Sequence, residues 1–185
     1  MSVLDIRVLG DPILRRETER VEKITDDIRQ LVRDMFDTMY AAEGIGLAAP
    51  QVGRAERVTV MDVGEAGRFA LINPEIVEKS GTIRGEEGCL SIPDVLGDVD
   101  RASRVKVAAV DENGNEFEVE GTELLARCLQ HEIDHLHGKL FIDYLSFLKR
   151  RAALAKWDTL KEDYPGFIRR VALEKKGAHH SEGEL

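Results

Sequence analysis

The residues best suited to chemistry are two histidines and a glutamate in the segment Gln130-His131-Glu132-Ile133-Asp134-His135. On a helix, His131 and His135 stand one turn apart and project from the same face. That spacing allows two imidazoles to bind one divalent metal ion, while Glu132 lies beside them as a candidate general base. The alternative is an ordinary amphipathic helix that carries two histidines, so the motif needs support from the rest of the chain.

A catalytic metal needs a third protein ligand while one position stays open for water. The extended metzincin motif requires a histidine three residues beyond its glycine; Gly138 matches the glycine, but Phe141 occupies the third position, which excludes that reading. Glu162 and Glu174 are the candidates for a downstream ligand of the thermolysin type, and both lie in charged segments. Cys89 is the better third ligand, because one thiolate with two imidazoles suits Fe²⁺, Zn²⁺, Co²⁺ or Ni²⁺.

Taken by itself, Cys89 would be interpreted as a small buried hydrophobic residue. Its neighbours Glu86 and Glu87 disfavour a nucleophilic thiolate unless a metal supplies positive charge. The other cysteine, Cys128, is most simply core or pocket wall. Neither cysteine belongs to a Cys-x-x-Cys pair, and we expect no disulfide between them.

The composition is that of one globular domain. The 185 residues are 43% hydrophobic, which is enough for one sizeable core. The net charge of −9 argues against a general nucleic-acid-binding surface. The N-terminus has no basic segment followed by an apolar one, and no apolar run approaches a membrane span, so we expect a cytoplasmic protein.

The histidine motif lies on a predicted helix that begins after Thr122 and ends before Gly138. Its inner face changes from apolar to imidazole along the helix, with Leu124, Cys128, His131 and His135 at steps of four, three and four. His137 points away from this face and is predicted to be solvated. The pattern is typical of a helix that crosses the floor of a pocket.

An N-terminal helix is predicted after an irregular arm over residues 1–24. Thr25 is its expected N-cap and it ends near Ala42. Its apolar residues follow at steps of three and four: Ile28, Leu31, Val32, Met35, Phe36, Met39 and Tyr40. The next segment, 44–51, holds small uncharged residues, which either pack tightly or form a backbone edge that another chain can approach.

Short strands are predicted in the middle of the chain, over 58–63, 69–72, 105–110 and 116–119. Asn73-Pro74 is expected to interrupt the chain, and residues 111–115 form a hairpin turn. Because no helix separates these strands, they favour antiparallel pairing and an α+β fold.

The C-terminal part is predicted to form a helix from Ser146 to about Leu160, interrupted at Pro165. Residues 149–176 contain nine Lys or Arg against four Asp or Glu. This basic segment could bind a partner such as anionic RNA, or simply form a solvated face. We expect the tail 177–185, with His179 and His180, to be disordered and to bind no metal.

Three motifs resemble the signatures of the bacterial peptide deformylase family. They are Gly44-Ile45-Gly46-Leu47-Ala48-Ala49-Pro50-Gln51, Glu87-Gly88-Cys89-Leu90-Ser91 and the His-Glu-x-x-His segment over 130–135. They occur in the family's order and spacing, and the similarity extends to about Leu148.

The resemblance implies a single α+β catalytic domain over 1–185, with antiparallel sheets around a central metal-binding helix, a basic helical segment 146–176 and the tail 177–185. It implies one divalent metal ion, Fe²⁺ in the cell, bound by Cys89, His131, His135 and a water; purified protein could hold Zn²⁺, Ni²⁺ or Co²⁺. The reaction would be hydrolysis of the N-formyl group from the initiator methionine of new proteins, releasing formate.

The resemblance also implies roles around the metal. Glu132 would move the proton of the attacking water. The Gln51 amide and the Leu90 backbone N–H would donate to the oxyanion. The substrate would lie along Gly44–Leu47 as an added strand. The substrate pocket would be bordered by Gly44, Ile45, Gly46, Glu87, Arg127 and Cys128, although Glu87 could instead pair with Arg101 to steady the Cys89 loop.

One departure from the family concerns the loop after the cysteine motif, where many members carry an arginine near the substrate backbone. Residues 94–98 contain no basic residue. Two rival hypotheses are a zincin-like endopeptidase and a catalytically silent metal-binding module associated with the ribosome. The basic C-terminal segment fits the family's docking to the ribosome.

Overall fold

The computed structural model describes residues 2–172. Three α-helices occur in this range: α1 (Asp26–Ala41), α2 (Glu123–Leu136) and α3 (Phe147–Leu160). The strands of the same range are β1 (Ile6–Arg7), β2 (Gly46–Ala48), β3 (Val58–Asp62), β4 (Arg68–Ser80), β5 (Ile83–Cys89), β6 (Ile92–Arg101), β7 (Arg104–Val110), β8 (Glu116–Thr122) and β9 (Ile168–Arg169). The predicted α+β class is confirmed.

The largest sheet has five antiparallel strands in the order β2-β3-β4-β7-β8. β2 forms one edge, and it pairs with β3 from Gly46↔Met61 to Ala48↔Thr59. The small residues of β2 therefore form a backbone edge, which is one of the two alternatives predicted for residues 44–51. α1 packs against the sheet with the apolar face that its periodicity predicts, and the Thr25 hydroxyl accepts from the Ile28 N–H at its start.

The prediction that Asn73-Pro74 would break the strand is wrong. β4 continues through both residues, and the pairing with β7 shifts register between Ile72 and Glu75. Asn73 adopts a φ of 52°, and its side-chain amide bonds with both the N–H and the carbonyl of Val21. Proline is tolerated because a bulge removes the need for its missing N–H.

β5 and β6 form a separate two-stranded antiparallel hairpin that the sequence did not predict. Their pairing runs from Ile83↔Arg101 to Cys89↔Ile92. β5 contains two glycines and two glutamates, so it lacks the alternating apolar pattern of a half-buried strand. β6 carries the alternation instead, and buries Val95 and Val99 against Phe141 and Leu145.

α2 lies between the five-stranded sheet and the β5–β6 hairpin. Leu125 and Leu129 pack against the sheet, and the helix also contacts β6. Thr122 occupies the predicted N-cap position, and Gly138 follows the helix with a φ of +68°. A side chain at Gly138 would lie 2.6 Å from the Arg15 carbonyl oxygen, so the end of α2 fits closely against the N-terminal arm.

The two ends of the described chain meet in a second short sheet. β1 pairs antiparallel with β9, with Ile6 opposite Arg169. The arm is thus partly ordered into a strand and a 3₁₀ turn at Pro12–Arg15. α3 ends at Leu160 as predicted, and Pro165 and Gly166 (φ +68°) lie beyond it in a turn that leads into β9.

Part of the basic segment, 173–176, and the tail 177–185 lie outside the described residues. No helix within residues 2–172 is long and apolar enough to cross a membrane.

Candidate metal centre

Cys89, His131 and His135 bring their donor atoms together, with every pair within 4.8 Å. The Nε2 atoms of the two histidines are 3.2 Å apart, and the Cys89 Sγ lies 3.4 Å from the His135 Nε2. α2 supplies the histidines from adjacent turns of one face, and the end of β5 supplies the thiol. The three residues come from segments more than forty positions apart, so their convergence is a property of the fold.

The donor set fits a divalent metal ion. Ligand atoms about 2.0–2.3 Å from a tetrahedral metal lie roughly 3.3–3.7 Å from one another. The 3.2 and 3.4 Å separations are close to that range. Neither cysteine forms a disulfide, so the Cys89 sulfur is available as a thiolate ligand.

Glu87 orients the imidazole ring of His131 through a hydrogen bond at Nδ1. Its Oε2 lies 2.8 Å from the His131 Nδ1, so Nδ1 donates and Nε2 is left as the metal-binding nitrogen. The same carboxylate accepts from Arg101 Nε at 2.8 Å and from Arg127 Nη1 at 2.8 Å. Arg101 also donates to Asp134 at 2.5 Å. The predicted Glu87–Arg101 pair therefore exists, and Arg127 joins it.

This network holds the Glu87 carboxylate charged. Burial alone would raise its pKa, but hydrogen bonds from His131 and Arg101 lower it to about 2. Burial also opposes the charged form of His131, but the adjoining Cys89 and Glu87 raise its pKa. For His135, burial and the neighbouring His131 both lower the pKa. Both rings must be neutral at the metal-binding nitrogen to act as ligands.

Glu132 lies buried between α2 and the edge strand β2. Burial raises its pKa to about 7, and its Oε2 has no hydrogen-bond partner among residues 2–172. A buried carboxylate oxygen without a partner needs a cation or a bound proton nearby, and a divalent cation would lower the pKa again. A side chain at Gly46 would come within 2.4 Å of the Glu132 Oε1, so only glycine permits this close approach.

Gln51 is held with its amide nitrogen toward the cysteine. Its Oε1 accepts from the Ala48 N–H at 2.8 Å, which fixes the orientation of the amide. Its Nε2 donates to the Ser91 Oγ at 3.1 Å and lies 3.6 Å from the Cys89 Sγ. The site therefore contains a buried N–H donor next to the metal ligands.

A cavity of about 440 Å³ opens beside these groups. Its wall contains residues of all three motifs and two further residues that were predicted to border the substrate: Gly44, Ile45, Gly46, Gln51, Glu87, Cys89, Leu90, His131 and Glu132 from the motifs, with Arg127 and Cys128. His135, the buried candidate ligand, is not among the lining residues. His137, which was predicted to stay outside the site, bonds to Glu17 on the opposite side of the helix.

Other lining residues were missed by sequence reasoning: Glu43, Glu86, Pro93, Asp94, Leu124, Tyr164 and Arg169. Leu124 was assigned to the inner face of α2 but given no role. Pro93 and Asp94 directly follow the cysteine motif and could have been included. Tyr164 and Arg169 follow α3, and no motif or periodicity connects them with the metal centre.

Known proteins match the chain over most of its length. The family model described as polypeptide deformylase matches residues 3–151. A peptide deformylase of Alkalilimnicola ehrlichii is 52% identical over 163 residues, which cover 86% of this chain and 92% of that protein.

Solved structures agree with this result. A peptide deformylase from Legionella pneumophila superposes with a TM-score of 0.83 at 47% identity, covering 87% of this chain and 96% of that one. A peptide deformylase from Ehrlichia chaffeensis gives a TM-score of 0.84 at 43% identity, with coverage of 88% and 98%. With its three motifs gathered around one cavity, the chain belongs to the polypeptide deformylase family.

Proposed function

We propose that this chain removes the N-formyl group from the initiator formyl-methionine of newly synthesised proteins, with Cys89, His131 and His135 as metal ligands and Glu132 as the proton carrier. Family membership supports the reaction, a metal-dependent hydrolysis that releases formate. The observation that carries the residue roles is the convergence of three metal donors beside a buried carboxylate at a glycine-lined strand edge.

The ligand set narrows the metal to Fe²⁺, Zn²⁺, Co²⁺ or Ni²⁺, because one thiolate and two imidazoles form a site of borderline softness. We infer Fe²⁺ as the metal in the cell, on the resemblance to the bacterial family. When bound, the metal supplies a Lewis acid that lowers the pKa of water and polarises the formyl carbonyl.

Glu132 carries the proton in both halves of the reaction. Its carboxylate accepts a proton from the water that attacks the formyl carbon. It then delivers that proton to the methionine nitrogen as the carbon–nitrogen bond breaks, so the leaving group departs as a neutral amine and the other product is formate. Such a base contributes about 10²–10⁴-fold in rate. A Cβ at Gly46 would lie 2.4 Å from the Glu132 Oε1, and this closeness of the carboxylate to the strand edge supports the proposed role.

The developing negative charge on the formyl oxygen requires fixed donors. The Gln51 amide nitrogen is oriented toward Cys89 by the bond between its Oε1 and the Ala48 N–H. The backbone N–H of Leu90 is the second proposed donor, and Leu90 lines the cavity next to Cys89. The Gln51 amide is oriented before the substrate arrives, which reduces the reorganisation needed during the reaction.

The substrate backbone is proposed to extend along Gly44–Gly46 as an added strand, with the methionine side chain in the cavity beside Ile45 and Cys128. Glu87 and Arg127 border this pocket but bind each other at 2.8 Å. Their charges are compensated within the wall, which is compatible with an apolar side chain.

The basic C-terminal segment is proposed to dock on the ribosome in the cytoplasm, where nascent chains appear. Support comes from charge: Lys149, Arg150, Arg151 and Lys156 all lie on α3. Phe147 and Leu148, at the start of the same helix, are the most exposed large hydrophobic residues in the described chain.

The deciding experiment is formate release from formyl-Met-Ala-Ser by protein prepared with Fe²⁺ under anaerobic conditions. Turnover is expected; a folded, fully metallated protein without turnover would remove the proposal. Cleavage of an internal peptide bond in a blocked peptide would instead support an endopeptidase.

Three variants test the proposed residue roles. Glu132→Ala should retain metal and lose at least about 10²-fold in kcat. Cys89→Ser should lose or weaken metal binding, whereas the matched Cys128→Ser variant should keep its metal content. If both serine variants hold equal metal, Cys89 is not a ligand.

A further inference from the structure

Arg169 lines the active-site cavity although the proposed mechanism does not use it. It belongs to β9, which lies beyond α3 and outside all three sequence motifs. Tyr164, from the turn before β9, lines the same cavity. The C-terminal segment therefore completes a wall that the metal helix and the β5–β6 hairpin leave open.

β9 is held in place by the N-terminal arm. Ile6 pairs with Arg169, and the Val8 N–H donates to the Phe167 carbonyl at 2.9 Å. The next residue of the arm, Leu9, donates its N–H to the Ser91 carbonyl at 2.8 Å. One stretch of arm thus connects β9 to the loop that follows Cys89.

A stacked aromatic pair supports this arrangement from α3. The Trp157 and Tyr164 rings stack with centroids 5.7 Å apart, and the Trp157 Nε1 donates to the Leu9 carbonyl at 3.2 Å. These contacts give β9 a defined position relative to the site, so Arg169 is placed by the fold.

Most donors of Arg169 have no protein acceptor within residues 2–172. Its Nη1 donates to the Leu90 carbonyl at 3.2 Å, and no carboxylate of that range lies within salt-bridge distance of it. Arg127, the other lining arginine, is committed to Glu87, the Val99 carbonyl and the Ile83 carbonyl. Of the two arginines that line the cavity in the described part of the chain, Arg169 is therefore the one whose guanidinium still has free N–H donors for a ligand oxygen.

Arg169 lies in a cavity wall that is otherwise rich in acidic residues. Glu43, Glu86 and Asp94 line the same cavity. Residues 94–98, which were interpreted from sequence as a loop, belong to strand β6 and contribute no basic residue. In this stretch Leu96, which is 59% exposed, lies opposite Gly88 of β5. Three carboxylates thus stand against one guanidinium, so the cavity mouth is negative except beside Arg169, where alone a substrate carboxylate would find a cation among the described lining residues that is not already paired.

We propose that Arg169 binds the substrate chain beyond its formyl-methionine and favours an acidic residue at the second or third position. The inference rests on the deformylase function proposed above. A guanidinium presents up to five donors, so it can bind a main-chain carbonyl or a side-chain carboxylate of the extended substrate. Arg169 is a specificity-determining residue, and the bond-breaking chemistry does not depend on it.

The test uses three amidated peptides, formyl-Met-Ala-Glu, formyl-Met-Ala-Gln and formyl-Met-Ala-Lys, together with formyl-methionine amide as a minimal substrate. The ratio of kcat/KM for the Glu peptide to that for the Lys peptide should fall about tenfold in Arg169→Met, mainly through KM. Arg169→Lys should retain part of the preference. Raising the salt concentration should reduce the preference of the wild type.

Arg170→Met is the matched control, because Arg170 is exposed and does not line the cavity. It should leave the ratio unchanged. An equal loss on all four substrates in Arg169→Met, carried by kcat, would overturn the inference and assign Arg169 to support of Leu90. An unchanged ratio would also overturn it, while activity of the wild type on formyl-methionine amide would leave the deformylase proposal standing.

Discussion

The floor of the active site and its rim are built in opposite ways. The floor consists of α2 with the Glu87–Arg101–Asp134 network, in which Glu87 and Arg101 are each only 5% exposed and each bind more than one partner. The rim consists of β1, β9 and the turn before β9. There, two strands of only two residues each pair with one another, and Arg169 makes one bond to the Leu90 carbonyl.

The difference in burial and bonding between the floor and the rim corresponds to their two proposed functions, catalysis and recognition of the substrate chain. The proposed metal ligands and proton carrier would have to be held to within a fraction of an ångström, and their supports are buried and have several partners each. Residues that contact the variable part of a nascent chain must tolerate many sequences, so partial exposure and spare hydrogen-bond donors suit them. Substitutions in the floor should therefore be severe, and substitutions in the rim mild and dependent on the substrate.

The largest effect is expected from Arg101→Met in the floor. It removes the cation that two buried or half-buried carboxylates share, and breaking a buried ion pair costs about 3–5 kcal/mol of unfolding free energy. Urea unfolding would measure the loss. Arg84→Met is the control, because its ion pair with Asp100 is exposed and should contribute less than about 1 kcal/mol. Equal losses would contradict the comparison.

Gly46→Ala should lower kcat about 10²-fold, because the added methyl group would displace the Glu132 carboxylate. A misplacement of about 1 Å in a catalytic group has an effect of that order. The added methyl group would meet the Glu132 carboxylate at 2.4 Å. Gly44→Ala meets only the end of the Leu90 side chain, at 2.7 Å, and should cost less. If the two variants have the same kcat, Gly46 is not needed for the position of Glu132.

Trp157→Phe tests the support of the rim. It removes the bond to the Leu9 carbonyl and should lower the unfolding free energy by about 1 kcal/mol. Because the metal floor is untouched, kcat on formyl-methionine amide should stay the same. Thermal unfolding and formate release would measure the two quantities, and a large fall in kcat would show that rim and floor are coupled.

The smallest effect is expected at the junction between the two regions. Asp143 binds Arg15 of the arm and accepts from the Leu140 N–H; burial raises its pKa, but these contacts outweigh it and hold the pKa below the ordinary value of 3.8. Its contribution is therefore complete above that value and lost as the pH falls through the lower, folded-state pKa. Asp143→Asn should lose less than about 1 kcal/mol near neutral pH, since solvent screens this half-exposed pair.

The measurement is urea unfolding of metal-free protein at neutral pH and at a series of lower pH values below 3.8, over which the difference between wild type and Asp143→Asn should shrink. A difference that persists unchanged at the lower pH would assign the effect to packing. Asp26→Asn is a suitable control, because Asp26 is fully exposed and pairs only with Arg29 of its own helix.

The floor could be predicted from sequence because its residues form short motifs whose spacing follows from helix geometry and metal chemistry. The histidine spacing, Cys89 and the small residues of β2 all belong to this class. The β5–β6 hairpin was missed because β5 lacks apolar alternation, and the bulge at Asn73-Pro74 because local propensity predicts a break. Arg169 could not be found at all, since its place depends on pairing between distant strands.

That pairing has a consequence for the order of folding. Ile6 and Arg169 are separated by almost the whole described chain, so their contact closes one of the longest loops in the molecule. Contacts of such long range form late, after local hairpins and helices have reduced the distance between the chain ends. During refolding, hydrolysis of formyl-methionine amide should therefore recover before the discrimination between acidic and basic peptides, because the catalytic groups do not wait for β9.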